Sequence, residues 1–229
     1  MLNNDRVIVL ESGRLLMPVA KHIFRDGTYL PGSIYLHASD EGRSWYPLSG
    51  EIALNPGAEG RKDHPALHNG MEPGVLALAD GRIWCYIRTA LGRQYETFSA
   101  DDGATWGVPQ PSPFTAPDPP MCVKTLKNGD LFAVWNPIPV YMGRPTVIDG
   151  TWTGARAPLV YALLDQDGNL KTELHEIETD KKCGFCYCAI HETAEGDVLL
   201  GYCAGGTADR CCLNRLRIRK IDHREIAQA

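Results

Sequence analysis

Two groups of residues in this chain have the types and spacing to do chemistry. The first is acidic. "SADDGATW" (99–106) sets Asp101 and Asp102, hard oxygen ligands of the kind calcium takes, beside Ser99, Gly103 and Thr105. A calcium loop needs acids or amides at alternating positions and a closing glutamate, and this stretch has neither. The same residues can make a turn in which the Asp carboxylate accepts backbone N–H groups, Gly103 takes positive φ and Trp106 folds back as an apolar plug. A second copy, "ASDEGRSW" (38–45), repeats the order with Asp40, Gly42, Ser44 and Trp45. A turn used twice is architecture, and both tryptophans are expected to be buried under it. The second group is made of thiols. Six of the eight cysteines lie between 183 and 212. "CGFC" (183–186) has the Cys-x-x-Cys spacing of a zinc or redox site, but its partner would have to be "CC" at 211–212, which is not a second such motif. Reduced, metal-free thiols packed among apolar strand residues are the expectation, and no cofactor is implied.

The elements that carry these groups repeat. Four segments share an apolar strand, a turn ending in Gly followed by Arg or Asp, and a second strand: "RVIVLESGRLLMPVA", "GVLALADGRIWCYIR", "CVKTLKNGDLFAVWN" and "CAIHETAEGDVLLGYC", with turn glycines Gly13, Gly81, Gly129 and Gly196. Short β-rich runs meeting at glycine turns are hairpins. A third strand follows each: "SIYLHASD", "YETFSAD", "PLVYALLD" and "LNRLRIRKI". In the first two copies it runs into the Asp-Gly-Trp turn and a fourth strand ("SWYPL", "TWGVPQ"), and the third copy keeps a degenerate turn, "LDQDGNLK". Four antiparallel strands per repeat without helical periodicity predict an all-β fold, a β-propeller with four-stranded blades, about four of them present. The Pro-rich 109–120 and the Gly-rich 55–74 read as inter-blade loops, so residues 1–229 read as one domain. The last blade stops at its third strand, and the first begins by about residue 5, so neither terminus has a strand to lend. The expectation is part of a larger, six-bladed propeller lacking its N-terminal blades. Its open edges could support self-association.

Composition narrows the function. The net charge is −5 with Lys and Arg scattered, so no basic stripe exists and nucleic acid is not an expected partner. No apolar run reaches the roughly 18 residues of a membrane span, and "MLNNDRVIVLESG" lacks the basic region and cleavage site of a signal peptide. A cytoplasmic location is the default expectation, with export if an N-terminal extension exists.

The Asp-turn stretches, together with "MEPGVLALADGRIWCYIRT", "RAPLVYALLDQDG" and "CYCAIHETAEGDVLLGYCAG", resemble the bacterial sialidase (neuraminidase) superfamily, whose Asp-box repeats build six-bladed propellers. The similarity runs over nearly the whole chain and matches roughly the last four blades. The resemblance implies an exo-glycosidase in which arginines clamp a substrate carboxylate, a tyrosine is the nucleophile with a glutamate as its base, and an aspartate serves as acid/base. The Glu that opens an inner strand matches Glu72, the Arg ending the following strand matches Arg88, the Arg before a Pro-Leu strand matches Arg156 rather than Arg144, and the Tyr opening the last inner strand matches Tyr187. These types suit the roles. Arg offers planar paired donors that fit a carboxylate. A tyrosine needs a base to become nucleophilic, and it avoids the repulsion a carboxylate would meet at an anomeric carbon that already bears one.

The family's first arginine and its acid/base aspartate have no match. Asp5 and Arg6 in "NNDR" could face the same site and bind substrate, although their order does not fit those two roles; Asp63 and His64 are further polar candidates. The expected partner is a sialylated or otherwise acidic glycan. An exo-hydrolase of another sugar and a non-catalytic carbohydrate-binding propeller stay open as alternatives.

Overall fold

The computed structural model describes residues 2–3, 5–25, 28–54 and 70–227, and the chain divides into two compact units, Met1–Pro113 and Phe114–Ala229. The first unit holds two antiparallel sheets and the second holds three, one of them a two-stranded hairpin. In the first unit, β1 (Ile8–Val9), β2 (Leu15–Arg25), β3 (Thr28–Ser39) and β4 (Tyr46–Pro47) pair in that order, with β5 (Ile52–Ala53) also on β3; β6 (Met71–Ala77), β7 (Ile83–Arg88), β8 (Arg93–Ser99) and β9 (Gln110–Thr115) form the next sheet. In the second unit, β10 (Cys122–Thr125) and β11 (Leu131–Trp135) are followed by a small hairpin of β12 (Val147–Ile148) and β13 (Thr151–Trp152), and the sheet then continues with β14 (Leu159–Leu164) and β15 (His175–Glu178). The last sheet is β16 (Cys186–Glu192), β17 (Val198–Cys203) and β18 (Leu216–Ile221). Among the described residues the only α-helix is α1 (His223–Ala227), far too short to cross a membrane.

The all-β expectation of four successive blades is met, and the hairpin repeat shows why. Gly13, Gly81, Gly129 and Gly196 all take φ between 85° and 91°. Each donates its N–H to the carbonyl three residues back, Leu10, Leu78, Leu126 and Thr193. Those four residues in turn donate to the carbonyls of Arg14, Arg82, Asp130 and Asp197. Only a residue without a Cβ meets that conformation at no cost, so four glycines fix four hairpins. The middle strands read as continuous apolar runs because both faces are covered: every residue of β11 and β14 is buried, as are the first five of β7. Leu16, Ile34, Leu36, Val75, Ile83 and Ile87 centre the core of the first unit. Phe132, Val134, Leu159, Tyr161, Phe185 and Leu200 centre that of the second.

The Asp turns are turns. Asp101 accepts from Thr105 N at 2.8 Å, Thr105 Oγ1 at 2.6 Å and Ser99 Oγ at 2.8 Å, while Trp106 Nε1 closes on Gly103 O at 2.9 Å. Hydrogen bonds from the Thr105 hydroxyl, the Thr105 N–H and Ser99 hold the Asp101 carboxyl down at about 2. The first copy is wired differently: Asp40 binds Arg14 Nε at 2.8 Å and the Tyr46 hydroxyl at 2.9 Å. Both tryptophans are half-buried rather than buried; Trp106 rests against the first unit's core. Residues 109–120 are not all loop, because β9 runs through Pro111 and Pro113. An edge strand tolerates proline where the missing N–H would face solvent; Ser112 and Phe114 alternate with the prolines to supply its buried face.

Candidate functional site

Glu72 and Arg88 come together in the first unit. Met71 pairs with Arg88 across β6 and β7, and the register then slips so that Gly74 pairs with Tyr86. Glu72 sits in this bulge with φ 42°. Bulges re-aim a side chain and recur beside active sites. The Glu72 carboxylate, 5% exposed, takes Arg88 Nη1 at 2.5 Å.

Arg156 and Tyr187 come together in the second unit by the same device. Cys186 pairs with Cys203 across β16 and β17, the register then slips to Ala189 and Gly201, and Tyr187 occupies the bulge with φ 57°. Glu72 and Tyr187 are thus the second residues of the first strands of their respective sheets. Arg156 is 1% exposed, its guanidinium carbon 4.6 Å from the centre of the Trp152 ring and 5.4 Å from that of Tyr187. Its Nη1 donates to Cys186 Sγ at 3.0 Å. A guanidinium stacked on two rings has little freedom to swing away.

Asp5, in a turn three residues before β1, is exposed and has φ 54°. Of the seven described non-glycine residues with positive φ, Asp5, Glu72 and Tyr187 are candidate site residues from the sequence, and Asp102 lies in the Asp turn. Such conformations cost about 1–3 kcal/mol for a bulky side chain and persist where surroundings enforce them. Arg6 is buried, donates from Nη1 to the Tyr86 hydroxyl at 2.7 Å and lies over the Tyr86 ring. Asp63 and His64 lie outside the described residues.

Sequence reasoning missed two features. One is a group of free thiols: Cys203 pulls the Cys186 thiol down, but Cys212 and burial outweigh it and push it up to about 11. The other is a cavity of about 270 Å³ walled by Arg156 together with Arg144 and Lys181. The cluster Asp197, Asp222 and His223 has suitable atoms for a cation, but Asp197 is already engaged by Lys220 and His223.

Residues 2–200 match the family described as the BNR repeat-like domain. The chain belongs to that family. No curated protein matches its sequence. Among solved structures, this BNR repeat-like chain is similar to a protein of unknown function from Dyadobacter fermentans (17% identity, TM-score 0.67, covering 95% of this chain and 52% of that one). It is also similar to the NanB sialidase of Streptococcus pneumoniae (18%, TM-score 0.63, 96% and 30%) and to a GH43_1 enzyme from Xanthomonas citri (16%, TM-score 0.64, 96% and 70%). It spans about half or less of the first two. At these identities the likeness speaks for the fold alone, a β-propeller of antiparallel blades that this chain shares with those proteins.

Proposed function

We propose that the protein is a sialidase-like exo-glycosidase acting on a terminal acidic sugar, with Tyr187 as nucleophile, Glu72 as its base, and Arg88 and Arg156 as the carboxylate clamp. One observation carries the reading. Glu72 and Tyr187 occupy matching bulges with the same left-handed backbone, each with an arginine against it. Packing alone gives no reason to hold two bulky side chains that way twice.

In this reading Glu72 takes the phenolic proton as the Tyr187 oxygen bonds to the anomeric carbon and the glycosidic C–O bond breaks, the leaving oxygen departing as an anion that takes its proton from solvent. Water then gives its OH to the anomeric carbon and its proton to solvent, and the freed phenolate takes back the proton from Glu72. Arg88 gives one N–H to Glu72, which aims the carboxylate; a guanidinium has five, so the same residue can serve the substrate. Asp5, in the same backbone conformation, contributes a substrate contact, and Arg6, held on the Tyr86 ring and hydroxyl, is the second such candidate. The glycan class is the sialylated or related acidic one.

The test is turnover of an aryl sialoside. Tyr187→Phe is expected to remove at least about 10³-fold of kcat, and Glu72→Gln about 10²–10⁴-fold, the usual worth of general base help. Aryl sialosides are expected to turn over faster than natural ones, because we assign no general acid and an aryl leaving group needs little protonation. Tyr187→Phe with unchanged kcat would overturn the assignment.

A further inference from the structure

The connection between β11 and β14 departs from its counterpart in the neighbouring sheet. There the second and third strands are joined by residues 89–92, whereas here residues 136–158 intervene and include the β12–β13 hairpin. This excursion holds Tyr141, Met142 and Trp152 at 70%, 67% and 39% exposure. With the turn before β16 it encloses the cavity of about 270 Å³, whose charged lining residues are Arg144, Lys181 and Arg156. No carboxylate residue lines it, although the chain as a whole has a net charge of −5. Arg144, Lys181 and Arg156 around one concavity attract an anion, and the exposed Tyr141 ring on the same excursion offers a flat face for sugar C–H groups.

The structure assigns this cavity as a subsite for a second anionic group, a carboxylate or sulfate ester on the sugar unit next to the one that is cleaved. The assignment rests on the function proposed above and deepens it. Arg156 is the shared wall, since it lies over the Tyr187 ring on one side and lines the cavity on the other. The preferred substrate is therefore an oligosaccharide with two consecutive acidic units, the outer one held at Tyr187 and the inner one by Arg144 and Lys181.

The test uses the 229-residue chain and the double variants Arg144→Ala/Lys181→Ala and Arg144→Glu/Lys181→Glu, with thermal unfolding to verify that they fold. In a first arm, inorganic sulfate is titrated by calorimetry. Saturable binding is expected for the wild type, about tenfold weaker in the Ala variant, the worth of one partly exposed charge-assisted contact, and absent in the Glu variant. In a second arm, KM is measured for an α2,8-disialyl substrate and for 3′-sialyllactose, whose inner units are neutral. The Ala variant is expected to raise KM about tenfold for the first only, with kcat unchanged for both. If the wild type cleaves neither substrate, the proposed function fails while the sulfate arm still decides the subsite. Equal sulfate binding by wild type and variants, or a KM rise shared by both substrates, would overturn it.

Discussion

At the residue scale, Glu72 and Tyr187 differ in what their removal does, although they share a backbone conformation. Glu72 is almost fully buried against Arg88, whose side chain is 11% exposed, so Glu72→Ala leaves a charge without its main counter-ion. We expect a loss of about 3–5 kcal/mol in unfolding free energy from denaturant titration. Tyr187→Phe keeps the ring under Arg156 and is expected to stay within about 0.5 kcal/mol of wild type while losing activity. That contrast separates a structural from a chemical role. Cys85 is a third case: burial pushes its thiol up to about 12, against the pull of Arg6. Alkylation at pH 8 followed by peptide mass spectrometry should leave Cys85 unlabelled until denaturant is added. These residue types could be picked from the sequence by resemblance, but their conformations could not. Glu72 precedes Pro73, which by itself favours an extended backbone, and nothing local to "FCYCAI" calls for positive φ. The bulges arise from how neighbouring strands pair, and that information is not local.

At the scale of elements, the Asp101 turn and the β6 bulge each make a prediction. The Asp101 carboxyl is held at about 2, below its unfolded value near 3.8. A depressed carboxyl stabilises the fold above the unfolded pKa, and the contribution disappears as pH falls through the folded one. The stability gap between wild type and Asp101→Asn should therefore be full at pH 5 and close between about pH 4 and pH 2, read from denaturant midpoints. At Gly74 a Cβ would lie 2.1 Å from the Tyr86 ring, and that ring is buried and held by Arg6. Gly74→Ala should cost on the order of 1–3 kcal/mol or more by overpacking, measured the same way. The four hairpins were legible because each demands one glycine at one offset. Strand β9 was not, since Pro111 and Pro113 look like loop until it is known that the strand lies at an edge. The 136–158 excursion gave only a weak signal, the aromatic and basic residues of "YMGRPTVIDGTWTG" between two apolar strands.

At the scale of the whole molecule, the BNR repeat-like family and the propeller fold frame the chemistry without choosing it. A sialidase and a GH43_1 enzyme share the fold with this chain at 18% and 16% identity, so the sugar has to be decided at the site. The most direct measurement asks which atom becomes bonded to the sugar. A sialic acid fluorinated at C2 and C3 forms the glycosyl–enzyme bond faster than it loses it, so a covalent intermediate accumulates. After incubation with this probe and proteolysis, mass spectrometry should find one fluorosialyl group on the peptide carrying Tyr187, and none in Tyr187→Phe. Turnover of an aryl sialoside with no adduct at Tyr187, or with the adduct on another residue, would contradict the assignment.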